Sequence, residues 1–323
     1  MARGVPAAPR PQRPFLAACA VGGGASLRRV RRVLAVLLVL CAAAGVTVAL
    51  AQDDDDRARP RARPAQGSDR AALPDPGAPL PRSAAGLAAA LTATIHRLRA
   101  AERGWDGTGA VPREITYLAL QHQRLLRRMG ARRALGDAAL ARLPRDVLGE
   151  ARDTVRGRRF LAAIPRARHL PAVRVAAAAP AVRLRRYYGV AQRRFAIHWS
   201  VLAAINFVES EFGRLRNASE AGARGPMQFL PATWRRYGMG GDIDDPHDAI
   251  LGAANYLHSS GAPADVPRAL FAYNHSLDYV RAVRNFAHRM RADARAFLTY
   301  YAWQVFVRAP GGGTRRLTGP GRG

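Results

Sequence analysis

The chain is 323 residues long, room for one or two domains of ordinary size, and its 49% hydrophobic residues suffice for a real core. Its formal charge of +28 rests on arginine alone, with no lysine anywhere, so it reflects coding bias as much as selection for a polyanion. With no recognition motif and no basic stripe interleaved with aromatics, nucleic acid is not expected as a partner. Cys19 and Cys41 are the only two cysteines, so the chain beyond them has no disulfide or thiol chemistry, and no Cys/His cluster has metal spacing. No metal and no cofactor is expected.

Residues 1–32 are rich in Pro, Gly and Arg and end in Arg28-Arg29-Val30-Arg31-Arg32, a basic cytoplasmic flank. Val33 to Ala51 follows as an uncharged apolar run, with Asp53 to Asp56 beyond it. By the positive-inside rule the N-terminus stays in the cytoplasm and the rest is exported. Ala49-Leu50-Ala51 has the small-x-small pattern of a signal-peptidase site, yet the run is nearly long enough to span, so a cleaved signal peptide and a retained transmembrane anchor both fit. Either way the rest of the chain is expected outside the cytoplasm. Residues 52–82, rich in Pro, Ala, Arg and Asp, read as a disordered linker.

From Ser83 the periodicity becomes helical. Leu87, Leu91, Ile95 and Leu98 form one stripe, ending near Gly104. After Pro112 a second stripe holds Ile115, Leu118, Leu125 and Met129 and stops at Gly130. Asp137 to Leu143, then a longer segment with Val147, Ala151 and Val155 running to about Pro165, complete a helical module over 83–178. Its short connections predict antiparallel neighbours. His96, His122 and His169 are scattered through it as ordinary surface or core histidines. No chemistry is assigned to the module; spacer, dimerisation surface and partner platform all fit. Ala176 to Pro180 is an Ala/Pro hinge, followed by a helix over Leu184 to Phe195 that contains Tyr187-Tyr188.

The next helix carries the chemistry. Ser200 is read as its N-cap and Gly213 as its stop, giving about three turns over 201–212. Leu202, Ile205, Glu209 and Phe212 fall on one face, so Glu209 interrupts an apolar stripe while Glu211 points elsewhere. A carboxyl stripped of water favours its neutral form, the property of a general acid. A lone Glu on such a face more often bends to solvent or pairs with an Arg, so the helix alone does not settle its role.

Asn217, Ser219, Gly222 and Gly225 argue for a loop between Arg214 and Gly225. Met227, Phe229, Leu230 and Trp234 read as core beneath it, and Pro231 opens a short helix that Gly238 ends. Asp242, Asp244, Asp245 and Asp248 lack EF-hand spacing; Asp245-Pro246-His247-Asp248 reads as a helix start, with the helix stopping near Gly261. Asp265 caps the next helix, on which Val266, Leu270 and Tyr273 share a face. Val280, Val283, Ala287 and Met290, then Phe297 to Phe306, read as closing helices, and the Gly/Arg segment 309–323 as a disordered tail.

Glu209-Ser210, then Gly222-Ala223-Arg224-Gly225-Pro226-Met227-Gln228-Phe229, then Ala272-Tyr273-Asn274, stand in the order and approximate spacing of one known family. Over roughly 182–300 the chain resembles the soluble lytic transglycosylases, whose catalytic domain is similar to goose-type lysozyme. Pro226 departs from the Leu that many members have there, while Gln228 is kept. The resemblance implies a mainly α fold, with a lysozyme-like transglycosylase domain over 179–308 preceded by the helical module and a membrane-proximal N-terminus. It implies Glu209 as the catalytic acid, and Ser210, Gln228, Tyr273 and Asn274 as substrate-binding residues that orient acid and sugar. The implied partners are peptidoglycan glycan strands, with cell-wall synthesis or division proteins and a membrane anchor as further partners. The expected reaction uses one carboxyl and gives a 1,6-anhydro product. A goose-type-lysozyme-like hydrolase and a non-catalytic wall-binding scaffold stay open as alternatives.

Overall fold

The computed structural model describes residues 72–164, 173–308 and 314–321. The basic flank, the apolar run over 33–51, most of the linker and His169 lie outside them. No helix among the described residues is long and apolar enough to cross a membrane.

The described residues form eleven helices and one two-stranded antiparallel ladder. The first four helices are α1 (Ala84–Glu102), α2 (Arg113–Ala131), α3 (Arg133–Leu140) and α4 (Arg145–Ala163). Ser83 caps α1 by accepting from Gly86 N at 3.0 Å. The stripes Leu87, Leu91, Ile95, Leu98 and Ile115, Leu118, Leu125, Met129 are all buried, and Val147, Ala151 and Val155 are buried along α4. Gly130 does not stop its helix, and α3 starts four residues before the expected Asp137.

The remaining helices are α5 (Ala181–Phe195), α6 (Trp199–Ser210), α7 (Pro231–Tyr237), α8 (Pro246–Ser259), α9 (Val266–Tyr273), α10 (Leu277–Ala292) and α11 (Arg295–Tyr301). Helix α6 runs through the middle of the hydrophobic core, which is why nearly all its faces are apolar. Phe207 is a hub there: its ring stacks on Tyr300 at 5.3 Å and meets Phe286 edge-on at 5.0 Å and Trp303 at 5.8 Å.

One continuous core joins the early helices to the later ones, from Leu87 on α1 to Trp303 after α11. Helices α4 and α10 run antiparallel. Arg281 lies 5.6 Å over the Phe160 ring, a Cβ at Gly157 would come within 2.9 Å of the Phe286 ring, and His288 Nδ1 meets Asp153 Oδ2 at 2.9 Å. A buried polar seam ties the same halves together. Trp303 Nε1 donates to His122 Nδ1 at 3.2 Å, and His122 Nε2 lies 3.1 Å from Glu150 Oε1. Gln123 pairs with the Gln304 backbone in both directions, and Thr299 Oγ1 donates to Glu102 Oε1 at 2.6 Å.

The end of the chain differs from the all-helical expectation. Helix α11 stops at Tyr301, and β1 (Phe306–Arg308) pairs with β2 (Thr314–Arg316), so part of the expected disordered tail is ordered. Val305 and Val307 make a small second core with Leu215, covered by Val173, Val175 and Leu317. The chain before α5 is held there as well: Ala176 N donates to Arg214 O at 2.9 Å, and Arg216 N to Arg174 O at 3.0 Å. Residues 72–82, also read as disordered, pack against α2, where Arg124 donates to Ala78 O at 2.5 Å.

Candidate active site

Helix α6 begins two residues earlier than expected. Its N-cap is His198, whose side chain accepts from Ser200 N at 3.3 Å, and Ser200 is buried inside the first turn. It ends in three consecutive left-handed residues, Glu211 (φ 49°), Phe212 (φ 64°) and Gly213 (φ 82°), so Glu211 rather than Gly213 is the cap. Two of the three are not glycine, an uncommon and costly choice that lets the chain reverse tightly behind the acid.

Glu209 lies one turn above that reversal and is 3% exposed. Its Oε1 accepts a hydrogen bond from the Tyr279 hydroxyl at 2.6 Å. Burial pushes its pKa up to about 8, and the Tyr279 bond, which favours the anion, only partly offsets this. Tyr279 is itself fully buried in the first turn of α10 and pushed well above the usual tyrosine value by burial and then by the charge of Glu209, so it stays a donor. Glu211 sits on another side of the helix. Burial raises it to about 7, against the pull of Arg214, Arg127 and Arg158.

The loop after α6 brings the second motif up to the acid. Arg224 and Phe229 form an antiparallel bridge, and Gly225 (φ 75°) lies so close to the Ile243 carbonyl that a Cβ there would overlap it. Gln228 is held left-handed at φ 49° and is buried. Its Nε2 donates to Gly225 O at 3.0 Å and Asn217 O at 3.3 Å, while its Oε1 is buried without a partner. Tyr273 donates to Met227 O at 2.6 Å, one residue before Gln228, and lies within electrostatic reach of Glu209. Asn274 caps α9 through its backbone, and its Nδ2 is also buried without a partner. Two amide side chains thus keep buried polar atoms unspent, a costly arrangement in a folded core without a ligand.

The structure gives each of these side chains a definite partner. The hydroxyl on the Glu209 carboxyl belongs to Tyr279, while Tyr273 props the turn before Gln228. Ser210 is fully buried: its Oγ donates to Pro226 O at 2.5 Å and accepts from Gly213 N at 2.8 Å, so it fastens the loop to α6. Met227 and Phe229 are buried, but Leu230 is exposed and is not core. Tyr279 was missed, although it heads the stripe Val283, Phe286, Met290 on α10, where a buried hydroxyl calls for a partner.

The acidic stretch before α8 acts in capping and surface pairing. Asp245 Oδ1 accepts from His247 N at 2.8 Å and Asp248 N at 3.0 Å, and Asp244 pairs with Arg224. Asp245, His247 and Asp248 offer atoms within 4.8 Å of one another, but the cap already engages Asp245 Oδ1.

Comparison with known proteins agrees with this geometry. Residues 186–294 match the family model described as the transglycosylase SLT domain. The chain is similar to a membrane-bound lytic murein transglycosylase F of Thiobacillus denitrificans, 32% identical over 122 residues, which is 35% of this chain and 26% of that protein. The chain therefore spans about a quarter of that relative's length, 26%. No solved structure matches it. The matched residues carry Glu209, Gln228, Tyr273 and Asn274, and this chain contains a transglycosylase SLT domain.

Proposed function

We propose that the protein is a peptidoglycan lytic transglycosylase that uses Glu209 as its single acid and base. One observation carries the reading: the Glu209 carboxyl is buried, accepts from one hydroxyl, and holds its proton up to about pH 8. A buried carboxyl that is neutral at pH 7 can protonate a leaving oxygen, which an ordinary Glu near 4.3 does rarely.

Because Tyr279 donates to Oε1, the proton is carried on Oε2. Glu209 passes it to the glycosidic oxygen as the C1–O4 bond between the two sugars breaks. The carbonyl oxygen of the neighbouring 2-acetamido group supports the positive charge at C1. The Glu209 carboxylate then takes the proton of the same sugar's 6-hydroxyl, whose oxygen bonds to C1 and closes a 1,6-anhydro ring. The acid is regenerated and no water is consumed. A tethered nucleophile spares the entropy of recruiting one from solution. The unspent amide atoms of Gln228 and Asn274 suit an amide-bearing, hydroxyl-rich ligand such as an N-acetylated glycan. Glu211 among three arginines and the Asp242–Asp248 stretch at the head of α8 each have a structural task, which favours one carboxyl over the usual pair. With arginines before the run over 33–51 and aspartates after it, this chemistry lies outside the cytoplasm.

The test is full-length protein, wild type and Glu209→Gln, incubated with purified peptidoglycan and its products weighed by mass spectrometry. Anhydro-muropeptides from the wild type alone support the proposal. Products one water heavier identify a hydrolase, and sacculi bound but intact identify a scaffold. Equal release by both proteins removes Glu209 from the reaction.

A further inference from the structure

Asn206 lies one turn before Glu209 on α6, fully buried among Leu202, Ala203, Ile205 and Phe207. A primary amide in such surroundings is costly unless each polar atom is bonded, and here each is. The Tyr188 hydroxyl donates to Oδ1 at 2.6 Å, and Nδ2 donates to Pro226 O at 2.8 Å and Ser210 Oγ at 3.3 Å. The opposite amide orientation would set Oδ1 against the Pro226 carbonyl, which can only accept, so that carbonyl fixes which end faces which.

Pro226 O is the point on which these bonds converge, since it also accepts from Ser210 Oγ at 2.5 Å. The next carbonyl, Met227 O, is held from the other side by Tyr273. Between these two anchors and the amide of Gln228 there is almost no slack, and Gln228 takes a left-handed backbone that the anchors must enforce. Asn206 and Glu209 share one rigid helix, so whatever fixes Pro226 to Asn206 also fixes Gln228 relative to the acid.

Building on the transglycosylase reading, we propose that Asn206, acting with Ser210 through the Pro226 carbonyl, is the positioning residue that sets the place of Gln228 against Glu209. It touches no substrate itself. Ser210 alone could hold Pro226 O, but it rotates about one bond and also serves Gly213 N; the amide, clamped by Tyr188, is what makes the anchor rigid.

The experiment is a double-mutant cycle between Asn206→Leu and Gln228→Ala in the full chain, read as kcat/KM for release of product from peptidoglycan. Loss of the anchor costs roughly tenfold to a hundredfold with Gln228 present, the scale of a displacement of about 1 Å, and less than about threefold once Gln228 is already gone. Equal losses in both backgrounds show a merely structural asparagine and overturn the proposal. If Asn206→Leu does not fold, Asn206→Asp replaces it. Near pH 5 burial keeps the new carboxyl protonated and able to donate to Pro226 O, whereas near pH 9 its anion opposes that carbonyl. Its rate relative to wild type must then fall across that range, and a flat ratio overturns the assignment. A third readout needs no catalysis: the side-chain amide NMR signal of Gln228, identified by its loss in Gln228→Ala, moves in the Asn206 variant. If the wild type releases no product, the transglycosylase reading fails, and this signal still decides the role of Asn206, an unmoved resonance rejecting it.

Discussion

Glu209 keeps its proton because the alternative is an anion in a dry site with a single hydroxyl to solvate it. That arrangement costs stability in a defined pH window. In the unfolded chain the carboxyl titrates near the ordinary value of 4.5, and in the folded chain near 8, so the unfolded state releases the proton first as pH rises. The stability tied to the neutral carboxyl is therefore fully present below about pH 4.5 and is lost progressively up to about pH 8. Glu209→Gln keeps the shape and cannot ionise. Its melting temperature is expected to match wild type near pH 4 and to exceed it at pH 8, by an amount worth on the order of a few kcal/mol, while cleavage is abolished. A variant less stable than wild type at pH 8 contradicts the burial argument. Tyr279→Phe tests the other side of the same bond. The hydroxyl favours the anion, so its removal raises the Glu209 pKa further, and the alkaline limb of the kcat/KM profile moves to higher pH. The rate at the plateau falls by roughly tenfold or more, since an oriented donor to the reacting carboxyl is lost. A limb that moves down or stays fixed separates Tyr279 from the acid.

Helix α10 carries Tyr279 on its first turn, and its flank rests on α4. A Cβ added at Gly157 would meet the Phe286 ring at 2.9 Å, and that ring packs edge-on against Phe207 and Tyr300. Gly157→Ala removes some chain entropy from the unfolded state, yet its Cβ overlaps that ring. The expected net effect is destabilisation of about 1–3 kcal/mol, measured by denaturant unfolding, with a parallel drop in cleavage as α10 shifts its tyrosine off Glu209. Unchanged stability means the two helices have room that the geometry denies. The helices themselves were legible in the sequence, because stripes such as Leu87-Leu91-Ile95-Leu98 report directly on a buried face. Their ends were less so: Ser200 has the chemistry of a cap, but His198 takes the position. The strand at Phe306 was missed although Trp303, Val305 and Val307 alternate, since three residues of period two are outweighed by the helical run before them. At the site, motif order singles out Glu209, Gln228, Tyr273 and Asn274 as candidates. Tyr279 and Asn206 could not, because their bonds to Glu209 and Pro226 cross 70 and 20 residues and exist only once the helices have packed.

The SLT match ends at residue 294 and begins at 186, yet the core does not respect either limit. Cutting the chain to 182–305 bares the α10 face that α4 covers. It also strands the indole of Trp303, the backbone of Gln304 and the hydroxyls of Thr299 and Tyr300, whose partners are His122, Gln123, Glu102 and Thr154. Each severed buried hydrogen bond costs about 1–3 kcal/mol when one partner stays dry, against a total of about 5–15 kcal/mol for an ordinary domain. Water can now reach some of these groups, but the exposed apolar face of α10 remains. The early helices are therefore expected to serve as a buttress that holds α10, and with it Tyr279, against α6. A fragment of 182–305 should show no cooperative thermal transition by circular dichroism and no cleavage of peptidoglycan, whereas 72–321 melts cooperatively. Adding 72–164 as a separate polypeptide to 173–321 should restore both the transition and the activity, because the surfaces that meet across α4 and α10 are complete in those two pieces. If 182–305 alone melts cooperatively and cleaves at the full-length rate, the early helices have no part in shaping the site, and their purpose must be sought in a partner rather than in the acid.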